Sequence, residues 1–439
     1  MNSLKLCIAS LAVGLGPHFA QVLSGAAVAF ILRAFGAGLA FTLNVAIGRL
    51  LGAEGAGLYF LALSVVAISA VISKLGLDNA LLRFIATARA EGDGNGLRGV
   101  FRLSMGIAAS SSLAAVAVVM LLAPWLASRV FGEPALAPVL RIMSIGIFTF
   151  TLMTLLSECL KGLNRIRNSM LVSGLIYPAV ALVFIWPLAE YGTSGAAMAY
   201  VLGTGVAAAT GWALWRTSTK SIFARDPAFE SAILMRSSRP LWVMALINQG
   251  ILPWAPLFLL GILATTQEAG IYGAATRVAM LITFFLTAVN TVIAPKFAEL
   301  YAKRHVDEIE RLAQKFALLM TIAATPVFIV LIFAGEWVMQ LFGTEFANGD
   351  HILAILAVGQ LVNVATGSVG YLLMMTGHER DMKIGSFLAA GVLVGMSCIL
   401  IPSLGAVGAA TAASSSVVVA NLYNLVLVRM RFGIWVFPK

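Results

Sequence analysis

Four separated stretches of this 439-residue chain return 213 residues further on, in one gap-free register. Ala56-Gly57-Leu58-Tyr59 returns as Ala269-Gly270-Ile271-Tyr272. Arg83-Phe84 returns as Lys296-Phe297, and the pair Arg98 and Arg102 as Arg311 and Lys315. Gly192-x-x-Gly195-Ala-Ala-x-Ala199 returns as Gly405-x-x-Gly408-Ala-Ala-x-Ala412. A single match can arise by chance. Four in one register mean two copies of one unit, and any fold for the chain must be built twice.

The unit is a bundle of membrane-crossing helices. Apolar runs near or above 18 residues recur along the whole chain, long enough to span a bilayer. The chain is 60% hydrophobic and 11% charged, against about 25% charged in soluble domains. That leaves too little polar surface to coat a soluble body. The alternation of a barrel strand is absent, so the fold class is all-α and polytopic. Twelve spans are expected, at 30–50, 57–77, 103–123, 137–160, 169–189, 194–215, 241–263, 270–292, 314–334, 350–375, 384–402 and 404–428. Six fall in each copy. An even number per copy gives both the same orientation, related by an axis along the membrane normal.

The expected domains are an N-terminal extension (1–24), an N-terminal six-helix lobe (25–216), a basic linker (217–238), a C-terminal six-helix lobe (239–431) and a tail (432–439). In the extension, Lys5 precedes the apolar run Leu6 to Leu15, which resembles a signal peptide. Cleavage there would start the next segment outside, against the charge pattern, so the stretch reads as an interfacial or loosely ordered extension. Cys7, Cys159 and Cys398 sit in or beside apolar runs at no metal or disulfide spacing, and read as packing residues.

The net charge of +10 is explained by where Lys and Arg fall rather than by nucleic-acid binding. The even-numbered loops carry Arg83, Arg89, Arg98, Arg102, Lys161, Arg165, Arg167, Arg216, Lys220, Lys296, Lys303, Arg304, Arg380 and Lys383. The odd-numbered loops and their edges carry Arg49, Arg129 and Arg141 among Glu54, Glu133, Glu190, Glu268, Glu336, Glu345 and Asp350. By the positive-inside rule both termini are cytoplasmic.

Enzyme signatures are missing: there is no His-Glu-x-x-His, no Walker glycine loop and no Gly-x-Ser-x-Gly. The four histidines have no ligand-spaced partners, so neither metal nor cofactor is expected. What remains is a small set of polar residues inside the spans. Arg33 lies about one turn into the first expected span, and Arg277 one to two turns into the eighth. Asn44, Asn248, Gln249, Asn290, Gln360, Asn363, Asn421 and Asn424 complete it. An arginine at the bilayer centre costs about 2.5–3.5 kcal/mol on insertion scales, so it faces a cavity or a partner unless it reaches the interface. The amides suit helix-packing hydrogen bonds. Spans with arginines and almost no carboxylate fit an anionic cargo, such as a phosphate or diphosphate, better than a cationic one. Pro253 and Pro256 predict a kink in the seventh span. With Gly57 and Gly270 they are the expected hinges.

The stretches Arg49-Leu-Leu-Gly52-Ala-Glu-Gly-Ala-Gly57-Leu-Tyr59 and Leu75-Gly76-Leu-Asp-Asn-Ala-Leu-Leu-Arg83-Phe84 carry a resemblance. So do Leu341-Phe-Gly343-Thr-Glu-Phe346, Leu372-Leu-Met-Met-Thr-Gly377 and Ile401-Pro402-x-x-Gly405-x-x-Gly408-Ala-Ala. Over residues 28 to 430 the chain resembles the polysaccharide-transporter branch of the multidrug/oligosaccharidyl-lipid/polysaccharide (MOP) flippase superfamily. The resemblance implies two six-helix lobes around a central cavity, working by alternating access. It implies flipping of an undecaprenyl-diphosphate-linked oligosaccharide across the bacterial inner membrane for surface polysaccharide biosynthesis. Partners would be that lipid, the membrane lipids and the polysaccharide polymerase machinery. By location, Arg33 and Arg277 would meet the diphosphate, and Asn44, Gln249, Asn290, Gln360 and Asn363 would touch sugars or set lobe contacts. The cation-coupled multidrug exporters of the same superfamily are the alternative. Many of them carry a carboxylate in the first helix, where this chain has Asn44 and no acid.

Overall fold

The computed structural model describes the backbone of residues 17–220, 222 and 229–436. Most of the extension, residues 1–16, lies outside it, as do 437–439 of the tail and seven residues of the linker. Every regular element among the described residues is helical. In hydrocarbon a chain must satisfy its backbone polar groups within itself, and apolar runs of this length do so as helices.

Among the described residues, helices lie over each of the twelve expected spans, some of them merged or broken. The helix Pro17–Lys74 is broken at Gly52 into α1 (17–51) and α2a (53–74), and α2b follows as Leu77–Glu91. Then come α3 (Gly94–Trp125), α4 (Leu136–Gly162), α5 (Ile166–Ile185) and α6 (Gly192–Ser218), which complete the N lobe. The C lobe holds α7 (Ser231–Leu263), α8a (Thr266–Ala279), α8b (Phe284–Ala302) and α9 (Val306–Phe333). It continues with α10a (Asp350–Ala365) and α10b (Val369–Met375). The last helix, Glu379–Phe432, is broken at Gly405 into α11 (379–404) and α12 (406–432).

The repeat is visible in the backbone. Gly192, opening α6, has φ 55° and ψ −133°. Its counterpart Gly405, opening α12, has φ 53° and ψ −130°. Only glycine reaches this region without a steric penalty. One turn later, a Cβ on Gly195 would stand 1.9 Å from the Leu188 carbonyl oxygen, and one on Gly408 would stand 2.5 Å from that of Leu400. Both glycines let the helix fold back closely on the turn before it.

Three features depart from the sequence reading. The first helix starts at Pro17, inside the stretch read as an extension, so Arg33 lies well within α1 rather than one turn into it. Helix α8 is interrupted at Met280–Thr283, and α10 bends by 43° between its two parts. Neither break contains a proline. Cys398 is exposed on α11, so it does not pack in the interior; Cys159 does.

We call the end of the bundle carrying Arg83, Arg98 and Arg216 the basic end, and the end carrying Glu54, Glu133, Glu268 and Glu345 the acidic end. One apolar core runs through both lobes, from Ile47 and Tyr59 to Tyr272 and Phe342. At the basic end the core divides. One cluster, around Leu81 and Phe101, belongs mainly to the N lobe; another, around Phe297 and Val428, belongs to the C lobe. The lobes are thus joined toward the acidic end and separately packed at the basic end.

Candidate site between the lobes

The space between the lobes is closed at the acidic end by two matching links. Glu345 accepts a hydrogen bond from the Ala53 N–H at 2.7 Å. Glu133 accepts one from the Thr266 hydroxyl at 3.2 Å. Ala53 and Thr266 are repeat counterparts, each opening the second helix of its lobe. Each lobe therefore reaches across with a carboxylate to the same point on the other. A carboxylate at a helix start also meets the free N–H groups and the positive end of the helix dipole. Arg49 donates from Nε to the Leu341 carbonyl at 2.7 Å, and Phe41 meets Phe342 edge-to-face at 5.9 Å. Two stretches singled out in the sequence, Arg49–Tyr59 and Leu341–Phe346, meet in this closure.

Arg277 lies about three turns, roughly 16 Å, along α8a from its acidic-end start, near the middle of a hydrocarbon layer about 30 Å thick. It is half-buried. Its guanidinium lies 4.3 Å from the ring centroid of Phe60 on α2a and 5.7 Å from that of Trp254 on α7. Nη1 donates to the Gly273 carbonyl at 3.0 Å. Among the described residues no carboxylate pairs with it. The half-buried guanidinium is held by aromatic faces and one carbonyl, with N–H donors left over. A cation so placed can pair with an anion. Its repeat counterpart is Ser64, so the charge belongs to one lobe only.

The other expected residues separate into three groups. Arg33 is exposed on α1, with exposed Ile31 and Phe35 beside it. It lies about five turns from Gly52, closer to the basic end than Arg277. Asn44 turns back on its own helix, donating to the Ala40 carbonyl at 2.6 Å. Asn290 of α8b accepts from the Ser368 hydroxyl at the bend of α10. At the same bend, Asn421 donates to Asn363 at 3.1 Å and accepts from Thr366 at 3.0 Å. These amides steady the broken helices α8 and α10. Gln360 is half-buried on α10a.

Gln249 reveals a contact that the sequence reading missed. It accepts from Lys74 Nζ at 2.8 Å and donates to Asp78 at 3.2 Å, while Lys74 and Asp78 stand 3.4 Å apart. Lys74 and Asp78 are 5% and 6% exposed, so this is a buried ion pair reaching from the N lobe to α7. A single lysine at the edge of an apolar run carried no signal beyond its charge. Arg83 donates to Ser237 at 2.6 Å, and the Trp242 indole to the Ile72 carbonyl at 3.2 Å, beside the same contact. The basic end is therefore tied along its α2–α7 side.

Of the expected hinges, Gly57 and Gly270 carry helical backbone and sit where α2a and α8a approach most closely. Pro253 and Pro256 follow a π-helical stretch, Leu246–Ile251, in α7. Pro253 cannot donate to the carbonyl one turn back, and the widened turn takes up that loss.

The polysaccharide biosynthesis protein family model matches residues 22–301, and the MatE family model matches 243–399. A Haloferax volcanii protein described as a probable low-salt glycan biosynthesis flippase, Agl15, is 25% identical over 404 residues, covering 90% of this chain and 81% of that relative. The fold matches an inward-facing multidrug resistance MATE family transporter of the MOP superfamily. The TM-score is 0.77 at 18% identity, over 92% of this chain and 98% of that one. It also matches the lipid II flippase MurJ in an inward closed conformation, with a TM-score of 0.75 at 15% identity, over 91% of this chain and 87% of that one.

Proposed function

Because the chain belongs to the polysaccharide biosynthesis protein family, within the MOP superfamily, we propose that it flips an undecaprenyl-diphosphate-linked oligosaccharide between membrane leaflets. Relatives and fold neighbours include a probable glycan biosynthesis flippase and a lipid II flippase, which supports a glycan-lipid cargo, and the finer assignment rests on Arg277. A positive charge held mid-membrane, between the lobes and without a carboxylate partner, suits a diphosphate and repels a cationic drug. In this reading the basic end faces the cytoplasm of a bacterial inner membrane, both termini lie on that side, and the polymerase machinery acts on the product outside.

The cycle follows from the contacts. With the acidic end clasped, cargo enters from the basic end. The diphosphate reaches Arg277, with Arg33 as an earlier cation on the way. The lipid tail stays in hydrocarbon and passes along the α1–α8b side, away from the ties between α2 and α7. Charge neutralisation by the cargo draws the lobes together at the basic end. The two carboxylate links at the acidic end then part, and the breaks in α8 and α10 and the π-helical turn of α7 absorb the change in helix direction. The chain performs translocation and makes no covalent change to its cargo.

The test is a strain lacking the gene and carrying Arg277→Ala. Polymer export should stop, and complete lipid-linked units should accumulate on the cytoplasmic leaflet, while insertion and abundance stay normal. Arg277→Lys should retain part of the activity, since it keeps the charge and loses the planar fork. Normal export by Arg277→Ala would overturn the assignment.

A further inference from the structure

At the basic end of the N lobe, away from the space between the lobes, α3 and α6 with the residues just after α6 border an open cavity of about 500 Å³. Its wall holds Arg98, Arg102, Arg216 and Lys220, with Trp212 and Trp215. None of the four cations forms an ion pair among the described residues. Arg98 donates from Nη2 to the Thr219 carbonyl at 3.1 Å, while its Nε is buried with no acceptor. A buried guanidinium N–H left unpaired costs free energy, and an anion beside Arg98 would offset its charge. Phe101 stacks on Trp215 at 4.2 Å, and Arg216 lies 5.7 Å from the centroid of Trp212.

The repeat provides an internal comparison. Arg98, Arg102 and Arg216 return 213 residues later as Arg311, Lys315 and Arg429. There, however, Glu310 stands where the N lobe has Leu97. Glu310 accepts from the Trp435 N–H at 3.1 Å, and the Trp435 ring covers Arg429 at 4.6 Å. The C-lobe copy is supplied with a carboxylate and capped by its own chain. Among the described residues, the N-lobe copy has the cations without either.

A ladder of exposed apolar side chains on α6 leads to this cavity: Met198, Leu202, Val206 and Trp212. On a membrane-crossing helix such a face meets acyl chains, and tryptophan marks the level of the headgroups. Cations that no carboxylate pairs among the described residues, at the foot of a lipid-facing strip, match a phospholipid rather than a free ion, which would have no use for the strip. We propose that this cavity binds the phosphate headgroup of an anionic phospholipid from the basic-end leaflet, with its tails lying along α6. The site is separate from the cargo path and does not depend on what the protein transports.

The test uses the full chain in nanodiscs of phosphatidylcholine with or without phosphatidylglycerol. Three proteins are compared: wild type, an N-lobe variant (Arg98→Gln, Arg102→Gln, Arg216→Gln) and a C-lobe variant (Arg311→Gln, Lys315→Gln, Arg429→Gln). Native mass spectrometry reads retained lipid, and thermal unfolding reads stabilisation. Wild type and the C-lobe variant should retain phosphatidylglycerol over phosphatidylcholine and melt higher in its presence. The N-lobe variant should lose that retention by more than about tenfold, and lose the stabilisation, while melting like wild type in pure phosphatidylcholine. Equal retention by the N-lobe variant overturns the proposal. So does inorganic phosphate that stabilises wild type in phosphatidylcholine as well as phosphatidylglycerol does, since that marks a free-anion site. If the triple variant does not fold, the exposed pair Arg102→Gln and Arg216→Gln carries the same readout.

Discussion

Gly57 of α2a and Gly270 of α8a face each other across the lobe boundary. A Cβ on Gly57 would lie 1.8 Å from the Thr266 carbonyl oxygen and 3.2 Å from the Gly270 nitrogen. A Cβ on Gly270 would lie 2.0 Å from the Ala53 carbonyl oxygen and 3.0 Å from the Gly57 nitrogen. The two glycines are counterparts in the repeat, so the copies meet backbone to backbone through the same residue of each. Gly57→Ala or Gly270→Ala cannot keep this closure, because the atoms in the way are backbone and cannot rotate aside. Overpacking of this kind costs about 1–3 kcal/mol, which should shift the equilibrium toward an open acidic end by about 5- to 150-fold. Thiol labelling of a cysteine at Ala53 from the outer side would read the shift. Gly106→Ala on α3 is the control: a Cβ there has nothing within 4 Å, so it should leave labelling unchanged. Unchanged labelling in Gly57→Ala would remove the contact from the closing mechanism.

The Glu345–Ala53 and Glu133–Thr266 links make a second prediction about the same end. Each closes the boundary from one lobe, and nothing else replaces the acceptor when the carboxylate is lost. Glu345→Ala leaves the Ala53 N–H at a helix start without its partner, a loss of about 1.5–3 kcal/mol for a hydrogen bond to a charged group. Glu133→Ala loses a hydroxyl donor that can turn to water, and should cost less. Distances between spin labels on the two lobes should lengthen at the acidic end in both variants, more in the first. Because both links are broken in the same opening, their effects should add in the double variant. A double variant no more open than Glu345→Ala would show that the Glu133 link is not formed in the closed state.

The chain's architecture was legible because it is carried by periodic features. Apolar run lengths marked the helices, the 213-residue register marked the two copies, and Arg277 stood out as a charge inside a span. What escaped was whatever depends on residues far apart in the chain. Glu345 meets Ala53 from 292 positions away, and Gln249 meets Lys74 from 175. Their residue types alone look like ordinary loop acids, amides and edge lysines. The breaks in α8 and α10 have no proline to announce them; the latter bend rests on Gly367 at φ 69° and on the Asn421 and Ser368 hydrogen bonds beside it. Leu341–Phe346 was conspicuous as a motif, yet its work became visible only when Phe342 proved fully buried against Phe41 and Gly48 of the first helix and Glu345 reached across.

The π-helical turn of α7 and the buried pair it touches yield a third prediction. Residues Leu246–Ile251 form a widened, underwound turn just before Pro253, and Gln249 within them reaches Lys74 and Asp78. Pro253→Ala restores a donor one turn ahead of Gln249 and favours a regular α-helical turn. Straightening by one residue rotates Gln249 away from the pair. The helix itself should gain stability, while transport should fall. If Pro253→Ala transports as wild type, the π-helical turn has no part in aligning α7 with the N lobe.

The Lys74–Asp78 pair sets the direction and size of a fourth. Both side chains are almost wholly withdrawn from water, so neither charge can be left alone. Asp78→Ala strands the Lys74 ammonium with only the Gln249 carbonyl oxygen, and breaking a buried pair in this way costs about 3–5 kcal/mol. Removing both charges, as in Lys74→Met with Asp78→Leu, should recover most of that loss, because an apolar pair of similar volume avoids the desolvation of two ions. Thermal unfolding in a fixed lipid would separate the two variants. Transport should not recover with stability. Through Gln249 the pair holds α2 to α7 only while its charges are present, and in the proposed cycle that tie aligns the lobes as they move. A double variant that is stable yet slow would assign the pair to the motion. One that is stable and fully active would reduce it to a structural tie.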